Sequence, residues 1–243
     1  MRARLRPGHG SPAPVAEKND AQLRWWLEEW EPVVQAGGLH PGDALTFLED
    51  REPAPTYLER RWQLARSQVR RVLVEAAIGD VDYFADKVVV EVGPGPVGFP
   101  DACPARVSIG VDPLAERYAE CGLLLGDSPA IYLTAGAERI PLLTASADVV
   151  LARDTLDFVD DPRQAVREFR RVLRPGGRLI LLFDVDHVPN ASQPNTFTVE
   201  LVRSWLDGMD ISREHAWAEP FGRDGHRVVL VADLPPALRS SCK

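Results

Sequence analysis

Between residues 86 and 234 the chain repeats one pattern, in which short apolar runs rich in valine, isoleucine and leucine alternate with amphipathic intervals. Seven runs are strand candidates: KVVVEV at 87–92, ARVSIGV at 105–111, AIYLT at 130–134, ADVVLA at 147–152, GRLILLF at 177–183, ISREHAW at 211–217 and HRVVLVA at 226–232. Several are apolar at successive positions instead of alternating, as strands are when a parallel sheet is covered on both faces. PLAERYAECG and DPRQAVREFRRVL read as helices, and the second carries Val166, Phe169, Val172 and Leu173 on one side before it stops at RPGG. Asp160 or Asp161 is placed to cap that helix, so DDP is assigned no chemistry. Only residues 218–225 separate the last two runs, too few for a crossover, so these strands are expected to pair antiparallel. The pattern predicts an α/β fold, a doubly wound, seven-stranded, mostly parallel sheet with an antiparallel last strand.

Ahead of this domain (86–234) the texture is helical from 19 to 85, and residues 1–18 and 235–243 read as tails. Asp20 can cap AQLRWWLEEW, where Leu23, Trp26, Leu27 and Trp30 share a face. Thr56 can cap YLERRWQLARSQVRRVLVEAAI, with Gly79 as its stop, and residues 37–55 read as loop. Leu58, Trp62, Ala65, Val69, Val72 and Leu73 form the stripe of that second helix. Trp25, Trp26, Trp30, Tyr57 and Trp62 could line an acceptor pocket, but aromatic residues at helical spacing are more often core, and core is preferred here.

The net charge of -8 argues against a duplex nucleic-acid binder, which needs lysine and arginine to neutralise phosphates. Cys103, Cys121 and Cys242 show no paired spacing, which supports neither a zinc site nor a disulfide framework. No apolar run reaches the roughly 18–20 residues of a membrane span. The basic N-terminus lacks the apolar stretch of a signal peptide. A cytoplasmic protein without nucleic-acid or membrane partners, monomeric or homodimeric, is expected.

The strand at 87–92 runs into EVGPGPVGFP, at the place where an open α/β sheet binds its ligand. Gly93 and Gly95 let the backbone turn sharply and approach a ligand. Such a turn alone is shared with dinucleotide enzymes, and three features discriminate. Asp112 lies at the end of the second strand, ~20 residues on, where a carboxylate can accept ribose hydroxyls. Pro100 and Pro104 shorten the helix that a pyrophosphate would need behind the glycines. Glu91, two residues before Gly93, could hold an amino group through an intermediary and is a poor neighbour for a pyrophosphate.

Across residues 86–185 the chain resembles the class I S-adenosylmethionine-dependent methyltransferases of small-molecule type, which implies a Rossmann-like methyltransferase fold and that co-substrate. EVGPGP is similar to the family's first motif, with Pro94 between the glycines, although Val97 takes the usual third glycine slot and Gly98 follows it. By the same resemblance Asp112 holds the ribose, and Pro113 and Leu114 pack on adenine. AGAERIPL places Ala137 at the adenine edge with Glu138 after it, and Gly136 replaces the acid that usually reaches the adenine amino group. Arg153 and Asp154 fall beside the methionine portion and Asp157 toward the acceptor. Families with this layout use the N-terminal helices to cover the cofactor, and Tyr57 and Arg61 could reach its carboxylate.

Methyl transfer asks an enzyme to align nucleophile, methyl and sulfur, and a hydroxyl acceptor also needs a base. His187 is the first candidate for that base because its ordinary pKa lies near neutrality. Asp157 and Asp184 accompany it as candidate catalytic residues, and alternation puts Asp184 and Asp186 on one face. Asp184, Asp186 and His187 could instead hold a divalent metal, but a hydrogen-bonded turn is the simpler reading, and no metal ligand is assigned. His215 and His226 sit in strand patterns and read as structural, His9 and His40 as surface. Acidic residues near the expected pocket suit a small polar acceptor, a sugar or aminoglycoside-type natural product methylated on N or O. A phenolic or polyketide O-methyl acceptor, a protein or RNA acceptor, a non-catalytic cofactor-binding scaffold and a nicotinamide oxidoreductase are the alternatives.

Overall fold

The structure, a computed structural model, describes residues 15–36, 56–185, 193–218 and 226–237. Its strands are β1 (Val88–Val92), β2 (Val107–Asp112), β3 (Ile131–Thr134), β4 (Ala147–Arg153), β5 (Leu173–Val185), β6 (Asp210–Ala218) and β7 (His226–Asp233). They form one sheet in the order β3-β2-β1-β4-β5-β7-β6. The strands β1 to β5 pair in parallel, and β7 runs antiparallel to both β5 and β6. From β1 the chain winds outward through β2 and β3, then returns to place β4 on the other side of β1. That reversal opens a crevice at the carboxyl ends of β1 and β4.

The central strands are largely apolar because both faces are covered. On one face Val90, Val92, Val150 and Phe183 pack with Val166 and Phe169 of α6 (Pro162–Val172). On the other, Val89, Val149, Leu151 and Leu182 meet Val69 and Val72 of α3 (Tyr57–Glu75), with Phe84 and Phe99. Each such side chain contributes roughly 1.5–3 kcal/mol when fully buried. Asp161 caps α6 by accepting from the Gln164 amide at 2.9 Å. RPGG is not a free turn: α6 passes directly into β5, and residues 174–177 bulge out where the register jumps from Ala147↔Leu173 to Val149↔Arg178.

Thr56 caps α3 as its sequence predicts, accepting from the Glu59 amide at 3.2 Å while Glu59 accepts the Thr56 amide at 3.0 Å. Thr56→Ala is therefore expected to lower stability by about 1 kcal/mol, read as a shift in the urea midpoint at constant slope. The helix ends earlier than Gly79: Ala77 takes the left-handed position at φ 52°, and the Ile78 amide closes on the Leu73 carbonyl at 2.8 Å. Burial of Ile78 in the core draws the stop forward despite the strain on alanine. Leu58, expected in the buried stripe, is 44% exposed.

The largest departure is at the N-terminus. Helix α1 spans Val15–Trp25, so it begins inside the stretch expected to be a tail, and Asp20 lies within it and pairs with Arg117 instead of capping. A π-helical turn at Trp26–Trp30 joins α1 to α2 (Glu31–Gln35). Trp25, Trp26, Trp30, Tyr57 and Trp62 pack in one cluster around Leu64 and Val97. The expected loop at 37–55 lies outside the described residues, and among those described no helix is long and apolar enough to cross a membrane.

Candidate active site

The glycine turn is built by interlocking backbone and carboxylate contacts. The Gly93 amide donates to the Val111 carbonyl at 2.8 Å, and φ is +72° there. A side chain at Gly93 would meet Thr155 Oγ1 at 2.6 Å, so the turn packs directly on the end of β4. Asp112 fastens the turn to β2, its Oδ2 accepting the Gly95 amide at 3.1 Å and its Oδ1 the Leu114 amide at 2.9 Å. The carboxyl is almost wholly buried, and desolvation pushes its pKa up to about 6 against the pull of those two amides.

Behind the turn the helix α4 (Phe99–Ala102) has only four residues, and its leading amides are already occupied. Gly98 donates to Asp101 Oδ2 at 2.8 Å and Phe99 to Glu91 Oε2 at 3.0 Å. A pyrophosphate placed here would find those amides engaged and two carboxylates beside them, the reverse of a phosphate cradle.

A cleft opens at the crevice between the ends of β1, β2 and β4 and the flank of α1. Its lining includes Gly93, Asp112, Pro113, Ala137, Glu138 and Asp154, six residues singled out in the sequence. Lys18, Asn19 and Gln22 of α1, with Thr155, Phe158 and Asp160, also line it. Four carboxylates therefore line the cleft (Asp112, Glu138, Asp154 and Asp160) against one ammonium. Lys18 Nζ lies 2.7 Å from Asp160 and ties α1 across the opening, while Glu138 Oε1 accepts the amides of Asp160 and Asp161 at 2.8 and 3.2 Å. Such a lining favours a ligand that is cationic and rich in hydroxyl and amino donors, and disfavours a phosphate ester.

Other expected site residues lie elsewhere. Glu91 does not reach the cleft: it is buried on the α3 side of the sheet, its Oε1 accepting Arg153 Nε at 2.9 Å and Nη2 at 2.7 Å. Burial pushes its pKa up, and the Arg153 guanidinium opposes that shift. Arg153 thus faces Glu91 and Gln68, because adjacent strand residues point to opposite faces. Pro94 and Gly95 form the underside of the turn, with Trp26 over Gly95, and Leu114 packs with Leu23 and Tyr118. Asp157 is buried and accepts Gln193 Nε2 at 3.3 Å, and Asp184 is buried with Arg227 Nε 3.9 Å away. Neither lines the cleft. Tyr57 bonds Glu31, and Arg61 lies over the Tyr57 ring and donates to the Leu123 carbonyl, so neither of these reaches it. His187, with Asp186, lies outside the described residues, and among those described no group of His, Cys, Asp and Glu is arranged to hold a metal. His215 stacks on Trp217 in the edge strand β6.

Missing from the sequence reading were the α1 residues and Asp160. The available signal was faint: Lys18 is one of only three lysines in the chain, and the DDP acids were accounted for by capping.

Comparison with known proteins agrees with this geometry. Residues 90–181 match the family described as a methyltransferase domain. Over 50 residues the chain is 46% identical to a malonyl-acyl-carrier-protein O-methyltransferase of Hahella chejuensis, covering 21% of this chain and 18% of that protein. It is 27% identical over 137 residues to the O-methyltransferase resE of Aspergillus sclerotiorum, covering 56% and 51% respectively. The matched stretch spans between about a fifth and a half of the length of these curated relatives. Among solved structures, the cyclase SpnF superposes with a TM-score of 0.58 at 16% identity, covering 90% of this chain and 96% of that one, a likeness of fold. Over residues 90–181 the chain therefore carries a stretch similar to the methyltransferase-domain family, set in a fold shared with solved proteins of that architecture.

Proposed function

We propose that this protein transfers the methyl group of S-adenosylmethionine, held in the cleft at the ends of β1, β2 and β4, to a small-molecule acceptor. The observation that carries this reading is a glycine turn whose neighbouring amides are already occupied by carboxylates, beside a cleft whose wall presents Asp112, Glu138, Asp154 and Asp160 and no phosphate cradle. Those features suit a phosphate-free cation and fit S-adenosylmethionine, which when bound supplies a methyl group activated by a positively charged sulfur.

The chain's own residues supply position and charge. Asp112 offers the remaining lone pairs of both oxygens to the ribose hydroxyls, in a place from which water is largely excluded. Pro113 and Ala137 flank the adenine, and Gly93 gives close backbone approach because no Cβ intervenes. Asp154 presents a carboxylate to the amino group of the methionine end. Alignment of the acceptor is the larger part of such catalysis, and it falls to groups at the ends of β4 and β5.

The acceptor reading shifts away from a polycationic amino sugar. Asp154 is paired with Arg227, Asp184 lies near the same guanidinium, and Asp157 is buried. These acids are internally balanced and do not form an open anionic surface. Two relatives are named as O-methyltransferases, which supports an oxygen nucleophile, a hydroxyl or carboxyl on an uncharged or anionic small molecule. Fold alone does not set the reaction, as a cyclase of the same architecture illustrates.

Calorimetry with S-adenosylmethionine and with NAD tests the cofactor, and release of S-adenosylhomocysteine tests turnover. We expect binding of the first ligand only, and product release with hydroxylated or carboxylated acceptors in preference to amino sugars. Binding of NAD alone would remove the central claim, and turnover confined to amino sugars would remove the acceptor assignment.

A further inference from the structure

Asp154 closes β4 at φ +51°, a left-handed backbone state that residues other than glycine seldom adopt. Its amide still donates to the Leu182 carbonyl at 3.0 Å, so the β4–β5 ladder continues through the kink. Its carboxylate joins the cleft to a charged group on the α3 side of the sheet. Oδ1 accepts from the Arg227 guanidinium, and Oδ2 lies 3.8 Å from Arg71 Nη2. Arg71 is bonded in turn by Glu75 at 2.9 Å, and Arg227 Nε lies 3.9 Å from Asp184, its register partner on β5. Of these five residues only Asp154 lines the cleft.

Arg227 is a costly residue for its place. It stands in β7 just before Val228, Val229, Leu230 and Val231, all fully buried, and is itself 7% exposed. An apolar side chain would satisfy the packing, whereas a buried guanidinium is tolerated only when anions compensate its lost hydration. Burial, with Arg71 and Arg153 nearby, lowers its pKa to about 9, which still leaves it charged at neutral pH.

We infer that Arg227 is a positioning residue for the cofactor: through Asp154 Oδ1 it holds that carboxylate fixed at the cleft wall, so that the last strand of the sheet sets cofactor affinity. This inference rests on the proposed function, because it assumes that the cleft takes S-adenosylmethionine. It differs from a general bracing role for β7. Arg178 braces the other end of that strand through Asp233, at 2.7 and 3.0 Å, and has no route to the cleft.

The test is a double-mutant cycle on the full chain, with S-adenosylhomocysteine as the calorimetric probe. Arg227→Met and Asp154→Asn should each weaken binding about tenfold, and the double variant should bind no more weakly than Asp154→Asn alone. Arg178→Met should leave affinity within about twofold. If Arg227→Met fails to fold, Arg227→Lys, which keeps the charge but loses the fork, carries the same cycle with a smaller single-variant loss. Wild-type binding with losses that multiply, or an unchanged Arg227 variant, overturns this inference and leaves the proposed function standing. Failure of the wild type to bind overturns both.

Discussion

Asp112→Asn is expected to weaken S-adenosylhomocysteine binding by about tenfold to a hundredfold, the loss typical when a charged acceptor is removed from a buried site. Its two oxygens already hold the Gly95 and Leu114 amides, so the substitution turns an NH2 group toward one of them and disturbs the turn as well. The pH dependence separates these two contributions. With a pKa raised to about 6 by burial, Asp112 becomes a full carboxylate only above that pH. Wild-type affinity should rise between pH 5 and 7.5 as the acceptor ionises, and this rise should disappear in Asp112→Asn. Stability moves the other way. A carboxyl whose folded pKa lies above its ordinary value of 3.8 stabilises the fold most below pH 3.8, and that contribution is lost as pH rises through 6. The unfolding free energy of the variant relative to wild type should therefore improve by about 2 kcal/mol from pH 4 to pH 7. Titration calorimetry and urea melts at both pH values measure the pair of opposite trends, and a parallel pH profile for variant and wild type would rule out Asp112 as the titrating acceptor.

Gly95→Ala has the second large expected effect, reaching both stability and cofactor binding. Gly95 sits at φ +68°, and a Cβ there would lie 2.8 Å from Cζ2 of Trp26. The indole cannot swing aside freely, since its ring packs edge-on against Trp25, Trp30 and Tyr118 at centroid distances of 4.7, 5.1 and 6.3 Å. Either the turn or the start of the N-terminal cap must move. Gly122→Ala supplies the control, because it has φ +69° and open space around the new methyl. We expect Gly122→Ala to cost about 1 kcal/mol from backbone strain alone. Gly95→Ala should cost about 2–4 kcal/mol and weaken S-adenosylhomocysteine binding more than tenfold. Equal destabilisation by the two substitutions, read from thermal melts, would show that the Trp26 contact is inconsequential.

How much of this was open to sequence reasoning varies with the range of the forces involved. The strands at 88–92 and 147–152 and the 177–183 part of β5 were legible because burial on both faces demands largely apolar runs, whereas the extension of β5 back through RPGG was not. The start of α6 was legible because Asp161 caps it within three residues. Helix α1 was not. Its first residues carry no local cap signal, and its position depends on Lys18 meeting Asp160, Asp20 meeting Arg117, and Leu23 packing on Leu114 and Tyr118. Those partners lie about a hundred residues or more away, and no window of sequence contains both members of a pair. Asp184 shows the same limit in a strand. Alternation predicts which neighbours share its face, but only the placement of β7 brings Arg227 to that face.

By itself the sequence determined the layered α/β architecture, the switch point between β1 and β4, and the line of residues from Gly93 through Asp112 to Asp154 at the strand ends. These follow from hydrophobic period and from short-range turn chemistry, which act between residues close together in the chain. Tertiary structure alone decided that α1 walls the cleft, that Glu91 and Arg153 neutralise one another away from it, and that Arg227 stands behind Asp154. Electrostatic balance of this kind depends on which charges meet across strands and helices, and a linear order of charges leaves those meetings open.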